Sequence, residues 1–393
     1  MHKTKNTESI KPGWRRVKFG DVVRLSKARC ADPLAEGVER FVGLEHLEPG
    51  DLRIRDWGKV ADGVTFTSVF QPGQVLFGKR RAYQRKVAVA DFSGVCSGDI
   101  YVMETKDAMV LLPELLPFIC QTDAFFDHAV GTSAGSLSPR TNWTSLADFQ
   151  FALPPIAEQR RMLELLESVE LLKASYRSAY RLCETAYLSA IEDLLAKAGK
   201  PDSTLGEVGV VTDCRHRTPR LVESGTPMVA PGDIKWGKLN LQCCKQMDAE
   251  EYETMKVGAQ ISLGDIVLSR NQSVGIASYV ASGDRFVLGQ DTVLIQARTL
   301  GVEFLYLSLR SQLVQRQIAR LAMGSTFKRI NLGDIRNLRL PFATPDLEAQ
   351  ARVLMHQHEE ALEVFEARTR HVETLRRTAL NDVVGLHRDE EYV

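Results

Sequence analysis

Two kinds of hydrophobic pattern alternate along the chain. Residues 14–153 and 200–344 carry short apolar runs separated by glycine, proline and aspartate, which is typical of strands and turns. The segments that follow each of them carry apolar residues every three or four positions over about forty residues, which predicts long helices. The chain is therefore predicted to run globule, helix, globule, helix.

Both globules are predicted to contain strands followed by one helix. In the first, the strands are Gln74–Phe77, Val87–Ala90 and Ile100–Met103, and the helix is Leu111–Phe126, with Pro113 near its start. In the second, the strands are Ile261–Leu268, Ala277–Val280 and Thr292–Gln296, and the helix is Phe304–Met323. The expected fold class is α+β, with two mixed α/β globules whose strand order the sequence leaves open.

The two globules share sequence at a nearly fixed separation. Gly73-Gln74-Val75-Leu76-Phe77-Gly78-Lys79 is echoed by Gly264-Asp265-Ile266-Val267-Leu268-Ser269-Arg270, 191 residues later. Gly131-Thr132-Ser133 corresponds to Gly324-Ser325-Thr326, and Ile156 and Gln159 correspond to Leu347 and Gln350. Such self-similarity predicts an internal repeat of one fold.

The first helical segment starts after Pro155 and ends at Gly199-Lys200-Pro201. Spacings of three and four, typical of a coiled-coil seam, separate Met162, Leu165, Val169, Leu172, Tyr176, Ala179, Cys183, Ala186 and Ala190. The second segment has similar spacing at Leu354, Ala361, Phe365, Val372, Leu375 and Ala379, and His356 and His358 are predicted to be solvated. Each rod would be roughly 60 Å long. Because a globule separates them, we expect antiparallel pairing.

Charge and composition narrow the function classes. With 50 basic and 50 acidic residues, the net charge of zero speaks against a nucleic-acid binder. The helical segments are acidic, however, so the rest of the chain has six more basic than acidic residues, which favours anion binding by the globules. Seven scattered cysteines without a Cys-x-x-Cys pair, and an N-terminus without an apolar core, predict a reduced cytoplasmic protein without structural zinc.

Catalytic motifs do not occur in the sequence. It lacks a phosphate-binding loop, a dinucleotide fingerprint, a Gly-x-Ser-x-Gly elbow and a His-Glu-x-x-His pair. Glu104-Thr105-Lys106 resembles half of a metal nuclease site, but in a chain with 25% charged residues such triplets arise by chance. The chain is predicted to be non-enzymatic and to need neither metal nor cofactor, with a nuclease as the alternative.

Basic and polar clusters follow equivalent strands in the two copies. They comprise Lys79, Arg80, Arg81, Tyr83, Arg85 and Lys86 in the first copy and Arg270, Asn271 and Gln272 in the second. Arginine pairs with guanine and asparagine or glutamine with adenine in the major groove, while lysine and arginine also hold phosphates. Further DNA-contact candidates are Arg15, Arg16, Lys18, Arg215, Arg217, Lys328, Arg329 and the loop Gly131–Arg140. The alternative is that these are solvated turns.

The order of these features resembles a known family. A globule precedes the helix opening Leu153-Pro154-Pro155-Ile156-Ala157-Glu158-Gln159, and a second globule precedes Pro345-Asp346-Leu347-Glu348-Ala349-Gln350. Over essentially the whole chain this resembles the specificity subunit of Type I restriction–modification systems. The resemblance implies two target recognition domains that each read one half of a split double-stranded DNA target. It also implies an antiparallel helical spacer that docks two methyltransferase subunits, further restriction/translocase subunits, and no catalytic centre.

Domain boundaries and partner contacts follow from the same resemblance. The expected segments are a flexible 1–13, recognition domain 14–153, spacer helix 154–199, recognition domain 200–344, spacer helix 345–388 and a flexible tail 389–393. Expected partner-binding residues are Glu158, Gln159, Glu348 and Gln350. A protein-binding scaffold without DNA readout is the alternative that zero net charge favours.

Overall fold

The computed structural model describes residues 11–324 and 328–385. The predicted flexible tail 389–393, residues 1–10 of the predicted flexible N-terminus, and residues 325 and 326 of the predicted repeat lie outside the described residues. The chain divides into two compact units: Met1–Tyr176 with Arg368–Val393 form the first, and Arg177–Ala367 form the second.

The described part of the first unit contains three sheets. The largest antiparallel sheet has the order Val23–Leu25, Ile100–Thr105, Val75–Gly78, Val87–Val89. A second has the order Gly58–Lys59, Arg40–Val42, Gly94–Cys96, Ser68–Phe70, in which the middle two strands are parallel. Arg15–Lys18 pairs with Gln150–Leu153 in a two-stranded sheet. The three strands predicted here are confirmed to within two residues.

Short helices cover the first unit: Phe19–Val22, Leu116–Ile119, Asp123–Gly131 and Trp143–Ala147, with 3₁₀ turns at Leu44–His46, Val60–Asp62, Ala82–Gln84 and Pro113–Leu115. The prediction of one continuous helix over Leu111–Phe126 was wrong. Its chain turns before Thr122, whose side chain accepts a hydrogen bond from the Phe125 N–H at 3.2 Å and so caps a new helix. Threonine favours helix starts over helix interiors for this reason.

The second unit has a similar set of sheets. A five-stranded sheet has the order Gly209–Asp213, Thr292–Ala297, Ile266–Ser269, Ala277–Tyr279, Gly237–Lys238. A four-stranded sheet has the order Leu221–Val222, Lys245–Met247, Thr226–Val229, Val287–Leu288, and Pro201–Thr204 pairs with Arg339–Pro341. The helices are Leu205–Val208, Tyr252–Met255, Val302–Arg310, Gln312–Leu321 and Leu332–Arg336, with 3₁₀ turns at Pro231–Asp233 and Ala249–Glu251.

Two predicted elements of the second unit required correction. The strand expected over Ile261–Leu268 begins only at Ile266, because the Asp265 carboxylate accepts the Ser262 N–H at 2.8 Å and closes a turn. The helix expected over Phe304–Met323 is broken at Ser311, which caps the second of two helices. In both cases a short polar side chain binds the local backbone and ends the regular element.

Two long helices, Ile156–Lys197 and Pro345–Val383, occupy the segments with helical periodicity. In the second unit Tyr180 packs edge-on against Phe365, Glu184 bonds His358, and Lys197 bonds Gln350. From Tyr180 to Lys197 along the first helix, the contacted residue on the second helix moves from Phe365 back to Gln350. The two helical segments are therefore antiparallel in the second unit. Among the described residues, no helix is both long enough and apolar enough to cross a bilayer.

The buried stripe of the first long helix differs from the predicted seam. Leu165 and Leu172 are 55% and 41% exposed, and Leu375 of the second helix is 44% exposed. The buried apolar side chains of the first helix are Leu166, Val169, Tyr187, Ile191, Leu194 and Leu195, of which only Val169 belongs to the predicted seam. All but Val169 belong to the hydrophobic cores of the globules. Packing against the globule cores therefore selects the buried face at both ends of this helix.

A polar cluster lies buried in the second unit. His358 stacks on Tyr187 with 3.6 Å between ring centroids and donates from Nε2 to Glu184 at 2.6 Å. Arg310 donates to the other oxygen of that carboxylate at 2.7 Å. Burial lowers the pKa of His358 despite the neighbouring Glu184 carboxylate, so the ring is neutral at pH 7. The prediction that His358 is solvated was therefore wrong, whereas His356 is exposed.

Candidate nucleic-acid interface

Two loops meet at the end of the central strand of the first unit. After the strand Val75–Gly78, the Lys79 N–H donates to the Asp99 carbonyl at 2.9 Å, and the Lys79 carbonyl accepts the Thr141 N–H at 3.1 Å. Ala134 and Arg140 exchange two backbone hydrogen bonds of 3.0 Å. The predicted DNA-contact loop Lys79–Lys86 therefore lies beside the predicted polar loop Gly131–Arg140.

One carboxylate holds the arginines of these loops. Asp99 accepts from Arg140 Nε at 2.7 Å and from Arg80 Nη1 at 3.4 Å. Arg140, and to a smaller extent Arg80, keep the pKa of Asp99 below its usual value against the opposing effect of burial. Arg80 and Arg81 also both donate to the Ser138 hydroxyl, at 3.1 and 3.3 Å. The guanidinium groups are thereby fixed in direction while remaining partly exposed.

Among the other predicted DNA contacts of the first loop, some side chains bind protein groups and one is exposed. Arg85 is tied to Asp123 at 2.6 Å and lies over the Phe126 ring, and Lys86 donates to the Leu44 carbonyl at 2.6 Å. Tyr83, by contrast, is 56% exposed. Lys79 lies over the Tyr101 ring, with its ammonium 4.7 Å from the ring centroid. Arg85 and Lys86 therefore shape the loop, and Tyr83 projects from it.

The second unit builds the same junction after the strand Ile266–Ser269. The Arg270 N–H donates to the Asp291 carbonyl at 2.8 Å, and the Arg270 carbonyl accepts the Ile330 N–H at 3.1 Å. Met323 and Arg329 exchange backbone hydrogen bonds of 2.9 and 2.8 Å. Each of these bonds has its counterpart in the first unit.

An aspartate again anchors the loop side chains. Asp291 accepts from Arg329 Nη2 at 2.9 Å and from the Asn271 amide at 3.2 Å. Gln272 and Lys328, their neighbours in the chain, are exposed. Arg215 and Arg217 are also exposed, and Arg215 donates to the Lys256 carbonyl at 3.1 Å. The second junction thus presents amides and cations together.

The prediction that Arg270 contacts DNA is corrected by its burial. Its side chain is 7% exposed, and its guanidinium donates to the Asp213 carboxylate at 2.8 Å and to the Ile330 carbonyl at 3.3 Å. The repeat correctly aligned Arg270 with Lys79 in the sequence. The Arg270 side chain is buried because it forms an ion pair with Asp213.

Additional predicted candidates lie near the two-stranded sheet of the first unit. Arg15 and Arg16 are exposed on their strand, and Lys18 forms an ion pair with Asp148 at 2.8 Å.

The side chains of the possible nuclease triplet Glu104-Thr105-Lys106 bind other parts of the protein. Glu104 accepts from Arg24 and Gln74, both at 2.8 Å, and Lys106 donates to the Gly20 carbonyl, so both side chains hold the fold together.

The helix openings also differ from expectation. Gln159 is fully buried: its amide donates to the Val110 and Pro154 carbonyls, and its oxygen accepts the Leu112 N–H at 3.0 Å. A partner cannot reach it, so the prediction of partner binding by Gln159 is corrected. Glu348 takes the matching role in the second unit by accepting the Gly301 N–H at 2.6 Å.

In the structure the counterpart of Gln159 in the second unit is therefore Glu348, because both accept a backbone N–H from the preceding globule. The sequence repeat had instead paired Gln159 with Gln350. Gln350 instead donates to Asp346 on its own helix and accepts from Lys197. Glu158 remains partly exposed and lies 3.5 Å from Arg161.

Sequence reasoning missed the aspartates that organise both junctions. Asp99 and Asp291 each lie one residue before a strand, 192 residues apart, and extending the repeat would have paired them. The sequence alone does not mark either aspartate as functional, because an isolated acidic residue beside a strand is common. Their role becomes visible only once Arg140 and Arg329 are folded against them.

Parts of this chain are similar in sequence to known proteins. Residues 225–374 match the Type I restriction modification DNA specificity domain. The Type I restriction enzyme EcoDI specificity subunit of Escherichia coli is 28% identical over 177 residues, covering 42% of this chain and 37% of that protein. The match thus spans little more than a third of that relative.

Two solved structures share the fold. A chain from a structure of complex assembly and conformational transition in a type I R-M system has a TM-score of 0.61 at 17% identity, with 96% of this chain and 99% of that chain covered. The Type-I restriction-modification system S subunit from M. genitalium has a TM-score of 0.52 at 13% identity, with 98% and 99% covered. Both similarities support the α+β fold class.

Proposed function

We propose, on the basis of the confirmed resemblance to the specificity subunits of Type I restriction–modification systems, that this chain recognises a bipartite DNA sequence. Residues 14–153 read one half of the target and residues 200–344 the other. The chain supplies no catalytic centre. It works in the cytoplasm with two methyltransferase subunits and, in a cleaving complex, with restriction/translocase subunits.

The observation that carries the proposal is the pair of aspartate-anchored loop junctions. Each unit brings a basic or amide-bearing loop beside a second basic loop through equivalent backbone hydrogen bonds, with Asp99 or Asp291 beneath. Sequence-specific readers need donors held in fixed directions on a rigid element. A pair of solvated turns would not require the same scaffold twice.

The exposed side chains suggest a division of roles. Asn271 and Gln272 offer the amides that pair with adenine, while Arg80 and Arg81 offer guanidinium groups suited to guanine. Lys79, Tyr83, Arg215, Arg217, Lys328 and Arg329 complete the proposed DNA-contact surface, largely through phosphates. Arg270 is removed from the direct contacts, because its side chain is buried against Asp213, whereas Arg85 and Lys86 are partly exposed and remain candidates.

We further propose that the two long helices form an antiparallel coiled coil that sets the gap between half-sites, with the globules as copies of one repeat. The opposed contact order of the helices in the second unit supports this. A fixed gap turns two weak readers into one avid binder only when the half-sites match it.

The first long helix also leaves Leu165, Leu171 and Leu172 exposed in the first unit, and Leu182 and Leu188 exposed in the second. Exposed apolar side chains on a helix suit contact with a protein partner. These side chains are proposed to contact the methyltransferase subunits, as are Glu158, Glu348 and Gln350 at the helix openings, which all stay partly exposed.

Salt-dependent binding tests this proposal against a scaffold role, which zero net charge favours. The full chain is mixed with its methyltransferase subunit, and its affinity for target duplex is measured between 50 and 200 mM salt, a range over which about 6–10 phosphate contacts weaken binding by roughly 10³–10⁵-fold. A scaffold would bind the methyltransferase subunit without salt-sensitive duplex binding, and that result would exclude DNA recognition.

A further inference from the structure

We propose that Asp213, Cys214 and His216 form a binding site for a transition-metal ion of the zinc type. The three residues lie where the strand Gly209–Asp213 ends in the second unit. Each supplies one ligand atom, and these atoms all lie within 4.8 Å of one another. The metal proposal does not depend on the DNA-recognition proposal.

The His216 ring lies close to both of the other donor groups. His216 Nε2 lies 3.1 Å from Asp213 Oδ2, and Cys214 Sγ lies 3.8 Å from His216 Nδ1. Around a tetrahedral zinc ion with bonds of about 2.0–2.3 Å, neighbouring ligand atoms are roughly 3.3–3.6 Å apart. These two distances run to different nitrogens of one imidazole, so binding of an ion requires the exposed ring to turn until a single nitrogen faces both partners.

The carboxylate is already oriented for this role. Arg270 Nη1 holds Asp213 Oδ1 at 2.8 Å, and the Cys214 N–H donates to the same oxygen at 3.0 Å. Oδ2 is therefore left facing His216. Groups that orient a ligand in this way commonly improve metal affinity on the order of 10–100-fold.

The donor set selects the class of ion. A thiolate and an imidazole favour zinc and similar transition metals, whereas magnesium and calcium prefer oxygen alone. Cys214 is a buried free thiol, while His216 is exposed, so an ion enters from the solvent side and keeps one coordination position for water. The sequence argument against zinc considered Cys-x-x-Cys pairs, and this Asp-Cys-x-His arrangement falls outside it.

Cobalt titration of the full chain tests the site. Co²⁺ bound by a thiolate gives a near-ultraviolet charge-transfer band that neither a carboxylate nor an imidazole produces. We expect this band on titration of the wild-type chain and its loss on adding Zn²⁺. Cys214→Ser should abolish it, and His216→Ala, an exposed position, should weaken Co²⁺ binding by about tenfold or more.

Cys243→Ser is the matched control, because Cys243 is an exposed thiol outside the cluster. It should leave the band and the affinity unchanged. Absence of a thiolate band in the wild-type chain, its persistence in Cys214→Ser, or its loss in Cys243→Ser would overturn the proposal. Retention of full affinity by His216→Ala would also overturn it, and this variant guards against misfolding of the buried-cysteine variant.

Discussion

Replacing Gln159 by alanine tests whether this residue is structural, as its contacts indicate, or a partner contact, as its position in the sequence predicted. The side chain is fully buried and makes three hydrogen bonds, to the carbonyls of Val110 and Pro154 at 2.9 and 2.8 Å and from the Leu112 N–H at 3.0 Å. These bonds tie the start of the first long helix to the segment that precedes Pro113.

The size of the effect follows from those three bonds. Each contributes about 0.5–1.5 kcal/mol net, and the groups left without partners lose their hydrogen bonds in a buried setting. Gln159→Ala should therefore lower the free energy of unfolding by about 2–4 kcal/mol. Gln350→Ala is the control: it is partly exposed and bonds to Asp346 and Lys197, so it should cost less than about 1 kcal/mol.

Urea denaturation followed by circular dichroism measures both variants. Hydrogen–deuterium exchange of peptides spanning 108–115 locates the loss, because the Leu112 amide should exchange faster in Gln159→Ala alone. The reasoning is refuted if the two variants are equally stable. It is also refuted if Gln159→Ala keeps wild-type stability and instead weakens binding of the methyltransferase subunit.

Three further predictions concern the second unit. Glu184→Gln leaves the Arg310 cation buried without its counter-ion, so it should cost about 3–5 kcal/mol in urea denaturation, while the exposed Glu360→Gln should cost under about 1; equal costs would contradict this. Because burial lowers the pKa of His358, its stability contribution is complete above the unfolded value of about 6.5 and is lost as pH falls toward the folded value. Melting temperature should therefore drop below pH 6.5 and His358→Gln should reduce that drop; an unchanged pH profile would refute the assignment. Lys328→Ala should reduce the steepness of the salt dependence of duplex binding by about 0.9 in a log–log plot, and an unchanged slope would remove this residue from the phosphate contacts.

Periodicity predicted the coarse organisation well, because it depends on local sequence. The two long helices and the strands around Val75, Ile100 and Thr292 formed where apolar spacing placed them. The breaks at Thr122 and Ser311 were also encoded locally, since both are capping residues within apolar surroundings. The sequence analysis missed these two helix breaks because the helical spacing of apolar residues continues on both sides of Thr122 and Ser311.

The candidate site was less predictable, since burial of a polar side chain depends on partners distant in sequence. Arg270 turns inward to Asp213, 57 residues away, and His358 meets Glu184, 174 residues away. Charge and local pattern alone marked Arg270 as a surface contact and His358 as solvated. The repeat was more informative than either, because it placed equivalent loops in both units even where side chains differed.

Exchange of one recognition domain tests the central claim most directly. Residues 200–344 are replaced by the corresponding segment of a relative that reads a different target, and methylated bases are mapped in cells that also express the methyltransferase subunit. We predict that one half of a two-part methylated sequence changes while the other half and the gap stay the same. An unchanged sequence, or a change in both halves, would contradict the assignment of one half-site to each globule.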